Sequence, residues 1–320
     1  MAPALSIVVT GRNDNYGGDF NDRFFTTLRF NQARLQERGV AFEVVFVEWN
    51  PIPDRPYLAD LLAREFPELA GAALRTFVAA PEYHAAFSQN RQIPYFEYIG
   101  KNIGIRRAAA PFILVTNTDV LLGREVVETI ASARMQPGTI YRSARYDIKL
   151  GIDSSALRWD TLEDPANLVD RSELRRPLLS HGSGDFMLAD ADSFRRLQGF
   201  NEVYRVARAG VDQNFLAKAY GAGYPIEEIN GPVYHINHVG SFRISKGAHA
   251  GAGETPWGKL GWPARYVTYN NPDGWGLRDA PARPLPQGAT FLDFDWKAVP
   301  PLVELRRLVL TAKQAVEEAV

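Results

Sequence analysis

Two short polar clusters in this chain have residue types and spacing that could do chemistry. The first is Asn117-Thr118-Asp119, which separates the apolar run Phe112–Thr116 from the apolar Val120–Leu122. The run follows Pro111, is rich in β-branched and aromatic side chains, and reads as a strand buried on both faces. A carboxylate at the carboxyl end of such a strand lies where open α/β sheets bind ligands. Oxygen donors there suit a hard divalent cation and the phosphates that travel with it. On local grounds alone the triplet reads equally well as an Asx-turn, with Asn117 and Asp119 bonding their own backbone. The second cluster is His235 and His238, three positions apart. That spacing serves two metal ligands on a helix, but the segment around Pro232 does not read as helical. One metal ligand is therefore expected rather than two, with His235, nearest the strand end, favoured; a hydrogen-bonded structural histidine is the alternative.

The elements around these clusters alternate. Residues 5–10 read as a buried first strand, followed by the glycine- and Asx-rich loop Gly11-Arg-Asn-Asp-Asn-Tyr-Gly-Gly18. A helix follows, with Phe20, Phe24, Leu28 and Leu35 at helical spacing and Gly39 as its stop. Residues 42–47 form a second strand ending at Glu48, 57–66 a short amphipathic helix, and 74–78 a third strand. A polar and aromatic loop holding Glu82, Tyr83, His84, Gln89, Asn90 and Arg91 leads to a helix over 98–109. This alternation predicts an α/β protein with a mostly parallel central sheet flanked by helices. A helix over 123–135 and a strand over 138–142 come next. Periodicity then fails from 143 to about 180, which reads as an insertion with the character of a lid. Asp190 or Asp192 caps a helix running to Gly199, 211–220 is a further helix, and 225–230 a strand.

Residues 240–287 are rich in glycine, proline and tryptophan, including Trp257, Trp262 and Trp275. So long a structureless stretch is expected to be a packed wrap, its tryptophans buried by default rather than stacked on sugars. The tail, 301–320, is an amphipathic helix that docks on the same domain or on a second subunit, the latter giving a homodimer.

Composition narrows the classes. The 320 residues are 46% hydrophobic and 12% aromatic, enough for a substantial core. With 36 basic and 37 acidic residues and a net charge of -1, nothing favours nucleic acid, so any anionic ligand must be held by local donors. The absence of cysteine excludes disulfides, thiol catalysis and cysteine-ligated zinc. The first residues lack a basic leader, and no apolar run reaches membrane-spanning length. The expected location is cytoplasmic, or peripheral at the inner membrane face.

Three blocks then occur in a telling order. They are Ile7-Val-Val-Thr-Gly-Arg-Asn13; Lys101-Asn-Ile-Gly-Ile-Arg-Arg-Ala108 running into Asn117-Thr-Asp119; and Gly182-Ser-Gly-Asp-Phe186, Gly199-Phe-Asn-Glu202 and Val211-Asp-Gln-Asn-Phe215. In this order they resemble the nucleotide-sugar-dependent glycosyltransferases of the GT-A fold, close to the large inverting family that builds bacterial polysaccharides. The resemblance covers about residues 5–238. It implies a catalytic domain over 1–238, with a nucleotide-sugar half at 1–122 and an acceptor half at 143–238, and a wrap and terminal helix over 239–320 packed on it.

The resemblance also implies roles. Thr10, Gly11, Arg12 and Asn13 stand where the family holds base and ribose, and Glu48 where it has an acidic contact to them. Asn102 and Arg106 (or Arg107) lie on the helix against the nucleotide. Asn117, Thr118 and Asp119 match the metal and diphosphate motif, with Asn117 replacing its first acid. Asp119, with His235 or His238, would hold Mn²⁺ or Mg²⁺. Asp212 matches the catalytic base, and Asp185 is its rival. The implied substrates are a UDP- or GDP-linked sugar and a saccharide or glycoconjugate acceptor. Two alternatives stay open: a sugar nucleotidyltransferase, for which Gly11-Arg12 and Gly17-Gly18 offer a faint glycine-rich loop, and a non-catalytic nucleotide- or sugar-binding relative.

Overall fold

The computed structural model describes residues 2–69, 71, 73–91, 93–149, 157–205, 210–238 and 269–301. The expected terminal helix over 301–320 and the stretch holding Trp257 and Trp262 lie outside the described residues, apart from residue 301.

The first half is the expected alternation. Strand β1 (Leu5–Gly11), helix α1 (Phe20–Glu37), β2 (Phe42–Glu48), α2 (Leu58–Glu65) and β3 (Leu74–Ala79) follow in order. They are succeeded by α3 (Pro81–Phe87), α4 (Glu97–Arg107), β4 (Phe112–Thr116), β5 (Val120–Leu122) and α5 (Arg124–Ala131). The second half holds β6 (Ile140–Ile148), α6 (Trp159–Glu163), β7 (Leu168–Arg171), β8 (Phe186–Asp190), α7 (Ala191–Arg196), α8 (Val211–Gly221) and β9 (Ile226–Ile236). A hairpin of β10 (Ala282–Pro284) and β11 (Thr290–Leu292) follows, and a 3-10 turn at Trp296–Ala298 comes after it.

All eleven strands of the described residues form one sheet, in the order β10-β11-β3-β2-β1-β4-β8-β6-β9-β5, with β7 beside β6. Strands β11, β3, β2, β1 and β4 run parallel, and so do β6 and β9. Strand β8 is antiparallel to both β4 and β6, which turns the second half of the sheet back on the first. Strand residues alternate between two apolar layers. Val8, Val45, Val47, Ile113, Val115 and Met187 face the layer with α3, α4, α7 and α8. Ile7, Val9, Val44, Phe46, Leu114 and Leu188 face the layer with α1, α2, α5 and α6. Two-sided burial is why these strands read as continuous apolar runs.

Helix α4 approaches the sheet closely because two of its residues have no side chain. A Cβ on Gly100 would lie 2.3 Å from Thr10 Oγ1, and one on Gly104 would lie 2.5 Å from a Val8 methyl.

Three expectations need correction. The loop predicted around Glu82 to His84 is helix α3: Pro81 occupies its first turn, where a missing N–H costs nothing. The predicted insertion starts later than residue 143, because β6 runs on to Ile148. Its polar residues hid it, since in this strand they face partners inside the protein. The strand predicted over 225–230 extends to Ile236 and carries His235 with it. Of the glycine- and tryptophan-rich stretch, the described part contains β10 and a Trp275 that is 2% exposed, with the Arg106 guanidinium 4.1 Å over its ring. Among the described residues no helix is long and apolar enough to cross a membrane.

Candidate functional site

Because β1 and β4 are parallel neighbours, the loops after them open on the same edge of the sheet. A cleft of about 340 Å³ lies there, lined among others by Thr10, Gly11, Arg12, Asn117, Thr118, Asp119, Asp185, His235 and His238. Nine sequence-predicted residues thus meet in one cavity.

Asp119 is tied to the end of β9 by its backbone, its carbonyl accepting from the Ile236 N–H at 2.9 Å. Val120 stands opposite His235 in the β5–β9 ladder. That register brings His235 Nε2 to 3.5 Å and His238 Nε2 to 3.2 Å from Asp119 Oδ2. One ligand atom from each of the three residues fits within a 4.8 Å group. Both histidines are buried at this point, whereas a single ligand was expected. Strand β9 ends at Ile236, and the second histidine, two residues on, reaches the same carboxylate without any helix.

His235 Nδ1 lies 2.9 Å from Asp147 Oδ1, so an uncharged His235 would donate through Nδ1 and leave Nε2 unprotonated toward Asp119. Burial opposes charge on this imidazole, but Asp119 and Asp147 outweigh it and raise its pKa to about 9. Burial likewise opposes the Asp119 carboxylate, and the two histidines hold it well below the usual range. Tyr16, from the glycine-rich loop after β1, meets the His238 ring edge-on at 5.1 Å.

A polar chain runs from this cluster along the cleft floor. Arg145 bridges Asp147, at 2.6 Å, and Asp185, at 2.7 Å. The other Asp185 oxygen accepts from Asn117 Nδ2 at 2.8 Å, and Asn117 Oδ1 accepts from Lys101 Nζ at 2.6 Å. Lys101 is fully buried and also donates to the Gly184 carbonyl, at 2.9 Å, and to Glu97. This accounts for asparagine at position 117. Its amide takes a hydrogen bond from a lysine and gives one to a carboxylate, and an aspartate there could only set a second negative charge against Asp185.

Asp212 occupies the first turn of α8 and accepts a hydrogen bond from the Ser183 hydroxyl. It is half-buried, behind the loop that presents Asp185, and is not among the residues lining the cleft. That loop is held from beneath by the buried Arg142, which donates to the carbonyls of Leu179, His181 and Ser183.

Five other predicted residues are spent on scaffolding and do not line the cleft. Asn13 clasps the next loop, accepting from Ile52 N–H at 2.6 Å and donating to the Ile52 and Pro56 carbonyls. Asn102 is buried and clamps Phe200 by both its N–H and its carbonyl, while also donating to Glu202. Arg106 and Arg107 donate to carbonyls of residues 273, 275, 276 and 277, holding the C-terminal wrap. Glu48 is fully buried and accepts from the Ala59 N–H in the first turn of α2.

The Glu48 carboxyl has consequences for stability. Burial, only partly offset by helix N–H groups, raises its pKa from 4.5 to about 7. The folded chain therefore holds this proton more tightly than the unfolded one. Stability is full below about pH 4.5 and falls as pH rises through 7, by roughly 3 kcal/mol in all. Glu48→Gln is expected to flatten the Tm–pH profile between pH 4.5 and 7 and to melt above the wild type at pH 8, as read by circular dichroism.

The residues that sequence reasoning missed are Glu97, Arg145 and Asp147, with Arg23 of α1, which lines the cleft and donates to the Tyr16 carbonyl at 2.8 Å. A signal existed for three of them. Arg23 lies on the apolar stripe of α1, between Phe20 and Phe24, and Arg145 and Asp147 lie two apart, on one face of a strand.

No family model matches the chain, and no curated protein matches it. Among solved structures it is similar to the catalytic domain of Drosophila β1,4-galactosyltransferase 7 in complex with xylobiose. Identity is 13% over 92% of this chain and 96% of that one, with a TM-score of 0.47. It is also similar to GalNAc-T7 with UDP, GalNAc and Mn²⁺, at 12% identity and a TM-score of 0.48 over 83% of this chain; the match spans about half, 51%, of that longer protein. A third similar structure is a putative glucose-1-phosphate thymidylyltransferase from Bacillus anthracis in complex with sucrose, at 9% identity, 79% and 96% coverage, and a TM-score of 0.38.

Proposed function

We propose that this protein is a divalent-metal-dependent glycosyltransferase that moves a sugar from a nucleoside diphosphate sugar to an acceptor hydroxyl, with inversion, in polysaccharide or glycoconjugate synthesis. The observation that carries the reading is the Asp119–His235–His238 cluster inside a cleft at the carboxyl edge of a parallel sheet. Two imidazoles and one carboxylate are a mixed nitrogen and oxygen donor set, better matched to Mn²⁺ than to Mg²⁺. Such an ion, held by these three residues, supplies Lewis-acid neutralisation of the leaving diphosphate.

The chain's own residues do the rest. Thr10, Gly11 and Arg12 line the cleft at the end of β1, where the nucleoside sits. Asp212 takes the acceptor proton as the new carbon–oxygen bond forms and the bond to the diphosphate breaks. It is favoured over Asp185, whose two oxygens are both occupied, whereas among the described residues the one hydrogen bond to Asp212 comes from Ser183, to Oδ2. Asp147 fixes the ring of His235, and Asp147→Ala is expected to weaken Mn²⁺ binding about 10–100-fold by isothermal titration.

The test of the reading is direct. Protein, Mn²⁺ and a panel of UDP- and GDP-sugars are incubated with methyl glycosides, and nucleoside diphosphate release and product are followed together. Product with inverted anomeric configuration supports the proposal. Pyrophosphate formed instead from a nucleoside triphosphate and a sugar 1-phosphate sinks it.

A further inference from the structure

Four carboxylates line the cleft, and three of them are committed. Asp14 accepts from Arg12 and from the Tyr16 N–H, Asp185 from Asn117 and Arg145, and Asp119 belongs to the metal cluster. Glu97 is different. One of its oxygens pairs with the buried Lys101, and among the described residues the other has no hydrogen-bond partner. The side chain is 25% exposed, so this oxygen is open to a ligand.

Glu97 also occupies a boundary. With Tyr95 it lines both the main cleft and a small side pocket whose walls include Tyr98, Tyr204 and Val211. Val211 immediately precedes Asp212. Glu97 therefore stands between the cleft and the start of α8, the helix that carries Asp212. Lys101 keeps the carboxylate oriented, and the half-buried rings of Tyr95 and Tyr98 give an apolar surface of the kind a sugar ring packs against.

We propose that Glu97 is an acceptor-binding residue: its free oxygen accepts hydrogen bonds from ring hydroxyls of a saccharide acceptor seated between Tyr95 and the start of α8. The inference rests on the glycosyltransferase reading above and assigns the acceptor class to a place in the fold. A carboxylate that receives hydroxyl donors selects for polyhydroxyl acceptors and against simple alcohols or apolar ones.

The experiment loads the full chain with Mn²⁺ and UDP or GDP. It then titrates methyl galactoside, glucoside, xyloside and N-acetylglucosaminide by saturation-transfer NMR, for the wild type, Glu97→Gln and Glu97→Asp. Glu97→Gln keeps an oxygen for Lys101 and tests the charge, and Glu97→Asp keeps the charge and withdraws the oxygen. At least tenfold weaker glycoside binding in both variants, with nucleotide affinity held at the wild-type level, is the expected result. Unchanged glycoside binding overturns the assignment alone, as does a wild type that binds nucleotide but none of the glycosides. A wild type that binds neither nucleotide overturns the glycosyltransferase reading and this assignment with it. In a transfer assay with the best glycoside, the acceptor KM rises in both variants and the donor KM does not.

Discussion

Asp119→Ala is expected to remove Mn²⁺-dependent nucleotide binding and to lower transfer by about three orders of magnitude. Among the described residues its carboxylate is the anion that His235 and His238 share, both approaching the same oxygen. Without it, two imidazoles face each other with no anionic donor between them, and one of them loses the partner that sustains its raised pKa. The measurement is UDP or GDP titration with and without Mn²⁺. Wild-type affinity should fall to the metal-free level in the variant, and adding Mn²⁺ should restore nothing. The expected outcome is specific to this residue, because Asn117, the other polar side chain of the triplet, spends its amide on Lys101 and Asp185. A variant that keeps metal-stimulated binding would remove the cluster from the mechanism.

The parallel half of the sheet was legible because two-sided burial writes itself as apolar runs, and the site loops because each such run stops at a polar residue. The charged scaffold was not legible. In β6 the residues Arg142, Ser143, Arg145 and Asp147 look like surface, yet each is buried or half-buried against a specific partner. A one-dimensional pattern records polarity and not the partner, so a strand that builds a polar network reads as a loop. The same blindness acted in reverse on Asn102, Arg106 and Asn13. Their types suit a nucleotide, but their donors are consumed by carbonyls more than 35 residues away in sequence. The pairing of both histidines with Asp119 was hidden for another reason. It follows from strand register and from where β9 ends, and neither has a helical period to reveal it.

Asp212→Asn is expected to leave nucleotide and metal binding intact while lowering turnover by 10²- to 10⁴-fold, the usual worth of a general base. The substitution is nearly isosteric and retains a carbonyl oxygen for the Ser183 hydroxyl, so the loop over residues 182–185 keeps its support from this side and from Arg142. What disappears is the ability to accept a proton from the attacking hydroxyl. Asp212 does not line the cleft, so its role requires that the acceptor reach past the loop carrying Ser183 and Gly184. That makes the pair Asp212→Asn and Asp185→Asn informative together. If Asp212 is the base, its variant loses kcat with little change in either KM. Asp185→Asn should instead disturb Arg145 and Asn117, and through them the metal side of the cleft, so its loss appears in metal and donor affinity. The reverse pattern, with Asp185→Asn silent in affinity and deficient only in kcat, moves the proton transfer to Asp185 and leaves Asp212 as a charge that holds a loop through Ser183.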